Sequence, residues 1–142
     1  MIWLLRHGDA EEGSPDFDRR LTAKGERQAR KAGEGLRALG VRIDSCLASP
    51  KLRAADTARI ACEPLDVGVT LEPALEGGSF DAEALAAGRG DVLLVGHEPD
   101  FSEAVRSLTG ARVRMKKGGV AGIDGGELKV LLRPKDLSAI LA

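Results

Sequence analysis

Only two of the chain's 142 residues are cysteine, Cys46 and Cys62. That is too few for a disulfide-built secreted scaffold, and their spacing is not that of a cysteine metal site, so both are expected to be reduced and buried. No stretch reaches the roughly 18 uninterrupted apolar residues that a membrane span needs, and the amino terminus lacks the basic segment, apolar run and cleavage site of a secretory leader. The expected location is cytoplasmic. Neither sign of charge dominates: 21 Lys and Arg face 22 Asp and Glu, for a formal net charge of -1. No global basic field therefore exists to hold nucleic acid or an anionic membrane. Residues 1–60 carry 12 basic and 9 acidic side chains, and residues 61–142 carry 9 and 13. A surplus of that size does not bind a polyanion, but single arginines can bind a small anion. Repeats, low-complexity tracts and interdomain linkers are missing as well, so one domain is expected over residues 1–142.

What is present is an alternation of short apolar runs with helical patterns, which argues for an α/β domain with a largely parallel sheet. IWLL (2–5) is too short for a helix and reads as a buried strand, followed by the polar loop GDAEEGSPDFDRR. With Thr22 as N-cap, TAKGERQARKAGEGLRALG puts Ala29, Ala32, Leu36 and Leu39 on one stripe, pairs Glu26 with Arg30, and ends at Gly40. IDSCLAS (43–49) is the second strand, and Ser49 as N-cap with Pro50 at the first helical position opens the helix of SPKLRAADTARIAC. VGVTL is a weaker strand, FDAEALAA a short helix, DVLLVG a fully buried strand, and PDFSEAVRSLTG a helix between Pro99 and Gly110. GGVAGID, a Gly-Gly turn and ELKVLLR form a hairpin pattern with alternating faces, and the tail KDLSAILA has apolar residues at helical spacing.

The chain has just two histidines, and each directly follows an expected strand: His7 in LLRHGDA and His97 in LLVGHEP. In an open α/β sheet, ligands bind in the crevice beyond the carboxyl ends of the strands, so both imidazoles are expected at one edge. Arg53 falls in the first turn of its helix, where the positive end of the macrodipole disfavours a cation unless an anion is bound; the plainer alternative is a pair with Asp56 or solvation. Arg6 ends a buried strand, and a charge there needs a partner or a ligand. Of Arg19 and Arg20, one is a candidate phosphate clamp, the other a solvated residue balanced by Asp16 and Asp18. Two histidines and several arginines converging on a strand-end crevice suggest covalent phosphoryl transfer. A neutral imidazole attacks phosphorus, and water later cleaves the phosphohistidine. Arginines stabilise the equatorial oxygens, and the second imidazole donates a hydrogen bond to one of them. No metal or other cofactor is then required, and two distant histidines without HxH, DxD or HExxH spacing fall short of a metal's ligand set. The rate is expected to fall at acid pH as His7 gains a proton, so the profile should depart from flatness between about pH 5 and 8.

The segments LLRHGDA, RRLTAKG, LASPKLRAADTA and LLVGHEP resemble, in order, the Arg-His-Gly, Leu-Thr-x-x-Gly, Ser-Pro-x-x-Arg-Ala-x-x-Thr-Ala and second-histidine segments of the histidine phosphatase superfamily, also called the phosphoglycerate mutase-like family. The four run through about residue 110. The resemblance implies a three-layer α/β/α sandwich with a mostly parallel central sheet. It implies His7 as the phosphorylated nucleophile, Arg6 and Arg53 as phosphate clamps, and His97 completing the pocket. RHGDA, RRLT and the shortness of the chain are similar to the small SixA-type branch. In that branch an arginine at the position of Arg19 faces the phosphate, and members act as phosphohistidine phosphatases on signalling proteins. Larger relatives carry a pocket-capping insertion for which Val67 to Asp91 is too short, and an open pocket suits a protein-borne substrate. Those relatives also place a general-acid glutamate near the segment matching EPALEGG, where Glu72 and Glu76 are the candidates although the motif is not intact. Asp9 and Glu98 are placed to tune the pocket's potential.

The expected function is a metal-independent phosphatase acting through phospho-His7 on a phosphohistidine-bearing protein. The alternatives are a phosphomonoesterase on a small metabolite, a non-catalytic phosphate-binding module, and a scaffold whose basic patch docks acidic proteins. Neither nucleic acid nor a membrane is an expected partner, and the sequence does not set the oligomeric state.

Overall fold

Alternation of side chains along the strands divides the core into two halves, one on each side of a single sheet. The computed structural model describes residues 1–142. Its strands are β1 (Ile2–Arg6), β2 (Ser45–Ala48), β3 (Val69–Leu71), β4 (Val92–Gly96), β5 (Val120–Asp124) and β6 (Glu127–Leu132). Its helices are α1 (Ala23–Ala38), α2 (Leu52–Leu65), α3 (Ala82–Ala86), α4 (Asp100–Thr109) and α5 (Pro134–Leu141). The strand order is β3-β2-β4-β1-β5-β6. The first four strands are mutually parallel, and β5 and β6 add an antiparallel edge. Trp3, Leu5, Cys46, Leu93 and Val95 project to the face covered by α1, α2 and α5, where Ala32, Leu36, Ala58 and Leu137 meet them. Leu4, Leu47, Leu94 and Ala121 project to the opposite face, against α3 and α4, where Ala82, Phe101 and Val105 close the second half. Each fully buried leucine contributes about 1.5–3 kcal/mol relative to exposure. The result is a three-layer α/β/α sandwich with a mostly parallel sheet, as the family resemblance implies.

The chain runs outward from β1 through α1 to β2 and through α2 to β3, then returns through α3 to place β4 between β2 and β1. That return makes β1 and β4 neighbours, and the site depends on it. Gly125 and Gly126, at φ 57° and 76°, turn the hairpin of β5 and β6, a pair of left-handed residues that matches the twist of the strands. Leu137 docks the tail helix on α1 and is fully buried.

Four details differ from expectation. Leu39, placed on the buried stripe of α1, is the C-cap residue and is 48% exposed, because the helix ends before its stripe reaches it. Glu26 and Arg30 stay unpaired while Arg19–Asp16, Arg59–Asp56 and Arg133–Asp136 form the i,i+3 ion pairs; an exposed helix pair gains only about 0.3–0.5 kcal/mol. Helix α2 begins at Leu52 with Lys51 as N-cap, so Pro50 lies outside it. Ser49 is therefore not a helix cap, and its hydroxyl bonds to the ring of His97 instead.

Helix α1 crosses α2 closely because Gly33 faces it without a side chain. A Cβ at Gly33 would overlap the Ala61 carbonyl oxygen and the Pro64 ring. Helix propensity favours alanine over glycine by about 1 kcal/mol, yet here overpacking against backbone dominates. Gly33→Ala should lower stability by about 2 kcal/mol, measured by urea denaturation. A stabilised variant would contradict the packing.

Candidate active site

The register of β1 against β4 sets Leu5 opposite Val95 and Arg6 opposite Gly96, so the residues that follow leave the sheet side by side. The His7 N–H donates to the Gly96 carbonyl at 3.0 Å. The rings of His7 and His97 then lie 5.3 Å apart between centroids, inclined at 55°. They are only 7% and 6% exposed. The loop carrying His7 is held by close backbone packing. A Cβ on Gly8 would sit 2.5 Å from the Gly25 carbonyl oxygen, and one on Gly25 would overlap the Asp9 carbonyl. Only glycine at both positions lets the start of α1 press on this loop. The Gly8 N–H donates to Thr57 Oγ1 at 3.0 Å, and that hydroxyl donates to the Arg53 carbonyl at 2.7 Å. Thr57 thus ties the His7 loop to α2.

His7 Nδ1 is 2.7 Å from the Gly8 carbonyl oxygen. A carbonyl only accepts, so Nδ1 carries the proton and Nε2 presents a lone pair. His97 Nε2 is 2.7 Å from the Ser49 hydroxyl, which is fully buried and accepts the Lys51 N–H at 3.2 Å. Burial pushes the His7 imidazole down to about 4, with the hydrogen bond to Gly8 opposing and Arg53, Arg6 and Lys117 adding to the depression. His97 is pushed down to about 3 by burial first, then by His7, Arg53 and Lys51. Both rings are neutral at pH 7. The acid limb expected between pH 5 and 8 is accordingly displaced. With the His7 imidazole pushed down to about 4, the expected profile is flat over most of that range and falls below it, checked by kcat/KM from about pH 3.5 to 8.

Both depressed values carry a stability consequence. An imidazole in the unfolded chain titrates near its ordinary value of about 6.5. Between that and 4 the unfolded state binds more protons than the folded one, so stability falls as pH falls through this window. At pH 5 the loss is roughly 2 kcal/mol for His7 alone. Urea denaturation at pH 7 and pH 5 should show this extra loss in the wild type and not in His7→Asn; equal losses would contradict the burial argument.

Arg53, 6% exposed, lies at the second position of α2. Its expected alternative partner, Asp56, pairs with Arg59 instead. Arg53 Nη1 donates to the Asp16 carbonyl at 2.9 Å and Nη2 to the Asp16 carboxylate at 3.3 Å. The same carboxylate lies 3.1 Å from Lys51 Nζ and 3.1 Å from Arg19 Nη1. Lys51 first and then Arg19, with Arg53 behind them, hold the Asp16 carboxyl well below the usual carboxylate range. Arg19 also donates to the Glu11 carbonyl at 2.7 Å, so it joins the cluster through Asp16. Arg20 is exposed and forms no ion pair. Arg6 Nη1 donates to the Met115 carbonyl at 2.9 Å, and burial lowers its pKa while Glu98 raises it.

Among the carboxylates named as acid or tuning candidates, Glu98 acts on the pocket through Arg6, and none bonds to an imidazole. Glu72 caps the Pro73–Leu75 turn through the Ala74 N–H, and Glu76 is exposed; neither bonds to an imidazole. Asp9 holds Thr22 and Lys117, and Glu98 holds the backbone and hydroxyl of Ser102. Three residues beyond the expected set belong to the site: Ser49, Thr57 and Asp16. The first two lie within SPKLRAADTA, where their hydroxyls read as cap and helix surface; nothing in the order of residues links Asp16 to Arg53. No three His, Cys, Asp or Glu side chains gather as a potential metal site. No helix is long and apolar enough to cross a membrane.

Residues 2–83 match the family described as histidine phosphatase superfamily, branch 1. An uncharacterized protein of Picosynechococcus sp. is 33% identical over 144 residues, covering 91% of this chain and 87% of that protein. The mitochondrial serine/threonine-protein phosphatase Pgam5 of Drosophila virilis is 39% identical over 66 residues, which are 46% of this chain and only 23% of Pgam5. Among solved structures, the protein histidine phosphatase SixA complexed with tungstate superimposes with a TM-score of 0.82 at 24% identity, covering 96% of this chain and 98% of that one.

Proposed function

The chain belongs to the histidine phosphatase superfamily, and from that premise we propose that it hydrolyses phosphohistidine on a protein through a phosphorylated His7. One observation carries the reading. The buried side-chain nitrogens and oxygens left without a hydrogen-bond partner in this protein are Arg6 Nε, Arg53 Nε and His97 Nδ1. Such atoms are costly and few in native proteins; here all three belong to neighbours of His7, whose imidazole feels the charges of Arg6 and Arg53 and lies 5.3 Å from the ring of His97. A phosphoryl group supplies an acceptor for each N–H and a phosphorus for that lone pair.

In the first step, His7 Nε2 forms a bond to phosphorus as the phosphorus–nitrogen bond of the substrate breaks; the departing nitrogen takes the electron pair of that bond, and a proton on the other nitrogen of the substrate ring lets it leave as neutral imidazole. In the second, a water oxygen bonds to phosphorus as the bond to Nε2 breaks, giving inorganic phosphate and neutral His7. The guanidinium groups of Arg6 and Arg53 and the ring of His97 take the charge on the equatorial oxygens. Asp16 holds Arg53 by its two outer nitrogens and leaves Nε for the ligand. Neutral imidazoles favour this chemistry over mere phosphate retention, because a charged ring would bind phosphate more tightly but would not attack it.

A protein-borne substrate is favoured by the stretch from Val67 to Asp91, which holds only β3, the Pro73–Leu75 turn and α3, leaving no long insertion over the pocket. A phosphorus–nitrogen bond also cleaves without strong acid assistance, which suits a site whose imidazoles touch no carboxylic acid. Comparison of a phosphohistidine-bearing carrier protein with sugar phosphates and nucleotides tests the reading. The expected result is a kcat/KM at least a hundredfold higher for the carrier. Turnover of the small esters alone would show a phosphomonoesterase instead.

A further inference from the structure

Arg6, whose Nε is one of the unpartnered buried atoms, also lines a groove of about 620 Å³. Arg6, Lys24, Lys116, Lys117, Arg133 and Lys135 line this groove, against Asp9 as the acidic lining residue. Asp9 pairs with Lys117, and Arg133 pairs with Asp136. Lys24, Lys116 and Lys135 are exposed and have no carboxylate partner. In a chain of net charge -1, such a concentration is a local feature rather than an overflow of basic residues.

Two of these lysines stand where a cation is unfavourable. Lys24 is the second residue of α1 and Lys135 the second residue of α5, each in the first turn, whose dipole repels positive charge. The Lys116–Lys117 turn is rigidly placed. Gly118, at φ 75°, donates its N–H to the carbonyls of Arg6 and His7 at 3.0 and 3.1 Å, and a Cβ there would meet Gln28 at 2.8 Å. Gln28 in turn accepts the Asp9 N–H at 2.8 Å. The groove is therefore a fixed positive surface built from the His7 loop, the starts of two helices and the turn before β5.

We propose that this groove docks a carboxylate-rich segment of the protein that carries the phosphohistidine, an inference that rests on the protein-substrate reading above. Carboxylates seated along Lys24, Lys116 and Lys135 would relieve the repulsion among unpaired cations and hold the substrate with its phosphoryl group at the Arg6 end. The surface adds specificity and encounter rate more than catalysis.

Fluorescence anisotropy with a labelled Glu-rich peptide and its twin carrying Gln for Glu tests the groove without requiring turnover. The wild type should bind the Glu peptide at least tenfold more tightly at low salt, and the preference should vanish at about 0.5 M salt. It should vanish too in Lys24→Glu/Lys116→Glu/Lys135→Glu, with the circular dichroism melt no lower than that of the wild type, since carboxylates suit the first turns of α1 and α5. Equal binding of both peptides by the wild type, or a preference that survives charge reversal, overturns the proposal. So does tighter binding of a single-stranded oligonucleotide of matched charge. A second arm compares kcat/KM for phosphohistidine peptides with Glu or Gln flanks. Binding preference without any hydrolysis would refute the proposed activity while leaving the acidic-segment site standing. Hydrolysis without a flank preference would refute the docking role alone.

Discussion

His7→Ala should reduce turnover by at least 10⁴-fold, to the level of a protein that positions phosphate without a nucleophile. Incubation of the wild type with a radiolabelled phosphohistidine donor, followed by rapid quench, should trap an acid-labile, alkali-stable adduct, and the variant should trap none. His7→Asn is the companion variant, because its amide can replace the N–H donated by Nδ1 to the Gly8 carbonyl. The loop then keeps its anchor while the lone pair at Nε2 is gone. Equal loss in both variants assigns the effect to chemistry rather than to a collapsed loop. A labelled adduct persisting in either one would move the nucleophile elsewhere.

Arg53→Ala should cost about 10²–10³-fold in kcat, the usual effect of removing one preorganised donor from a developing negative charge. The guanidinium is buried and fixed by Asp16 before any substrate arrives, so its reorganisation cost during the reaction is small. Arg53 also depresses both imidazoles. Its removal should therefore raise the pH at which His7 titrates, observable by NMR of the ring protons, and should move the acid limb of kcat/KM the same way. A reduced rate with an unmoved His7 titration would place Arg53 farther from the rings than the structure does. Arg53→Lys should recover little, since a single ammonium reproduces the charge but not the fork shared between Asp16 and the ligand.

Much of this architecture is legible in the sequence. The continuous apolar runs IWLL and VLLVG could only be buried strands, and the helix start at Thr22 and the stop at Gly110 lie where capping chemistry puts them. Both histidines follow strand ends because the ligand edge of a parallel sheet is the carboxyl edge. Strand order was not legible. That β4 returns to the side of β1, and so brings His97 against His7, follows from pairing across some ninety residues, which local periodicity does not encode. Ser49 departs from its local pattern for a related reason: a serine before a proline and a helix looks like a cap, whereas tertiary contact turns its hydroxyl toward His97. Asp16 is expected from the sequence to balance the neighbouring arginines, and it does pair with Arg19, but nothing local links it to Lys51 and Arg53, which it also joins. The cationic groove escaped because its lysines come from three separated segments, and the near-zero net charge concealed their convergence.

A crystal of this chain soaked in tungstate addresses the central claim directly. The account predicts one oxyanion seated between the two imidazoles, with His7 Nε2, His97 Nδ1 and the Nε groups of Arg6 and Arg53 all directed at it. An oxyanion bound away from both rings, with those nitrogens turned to other partners, would contradict it.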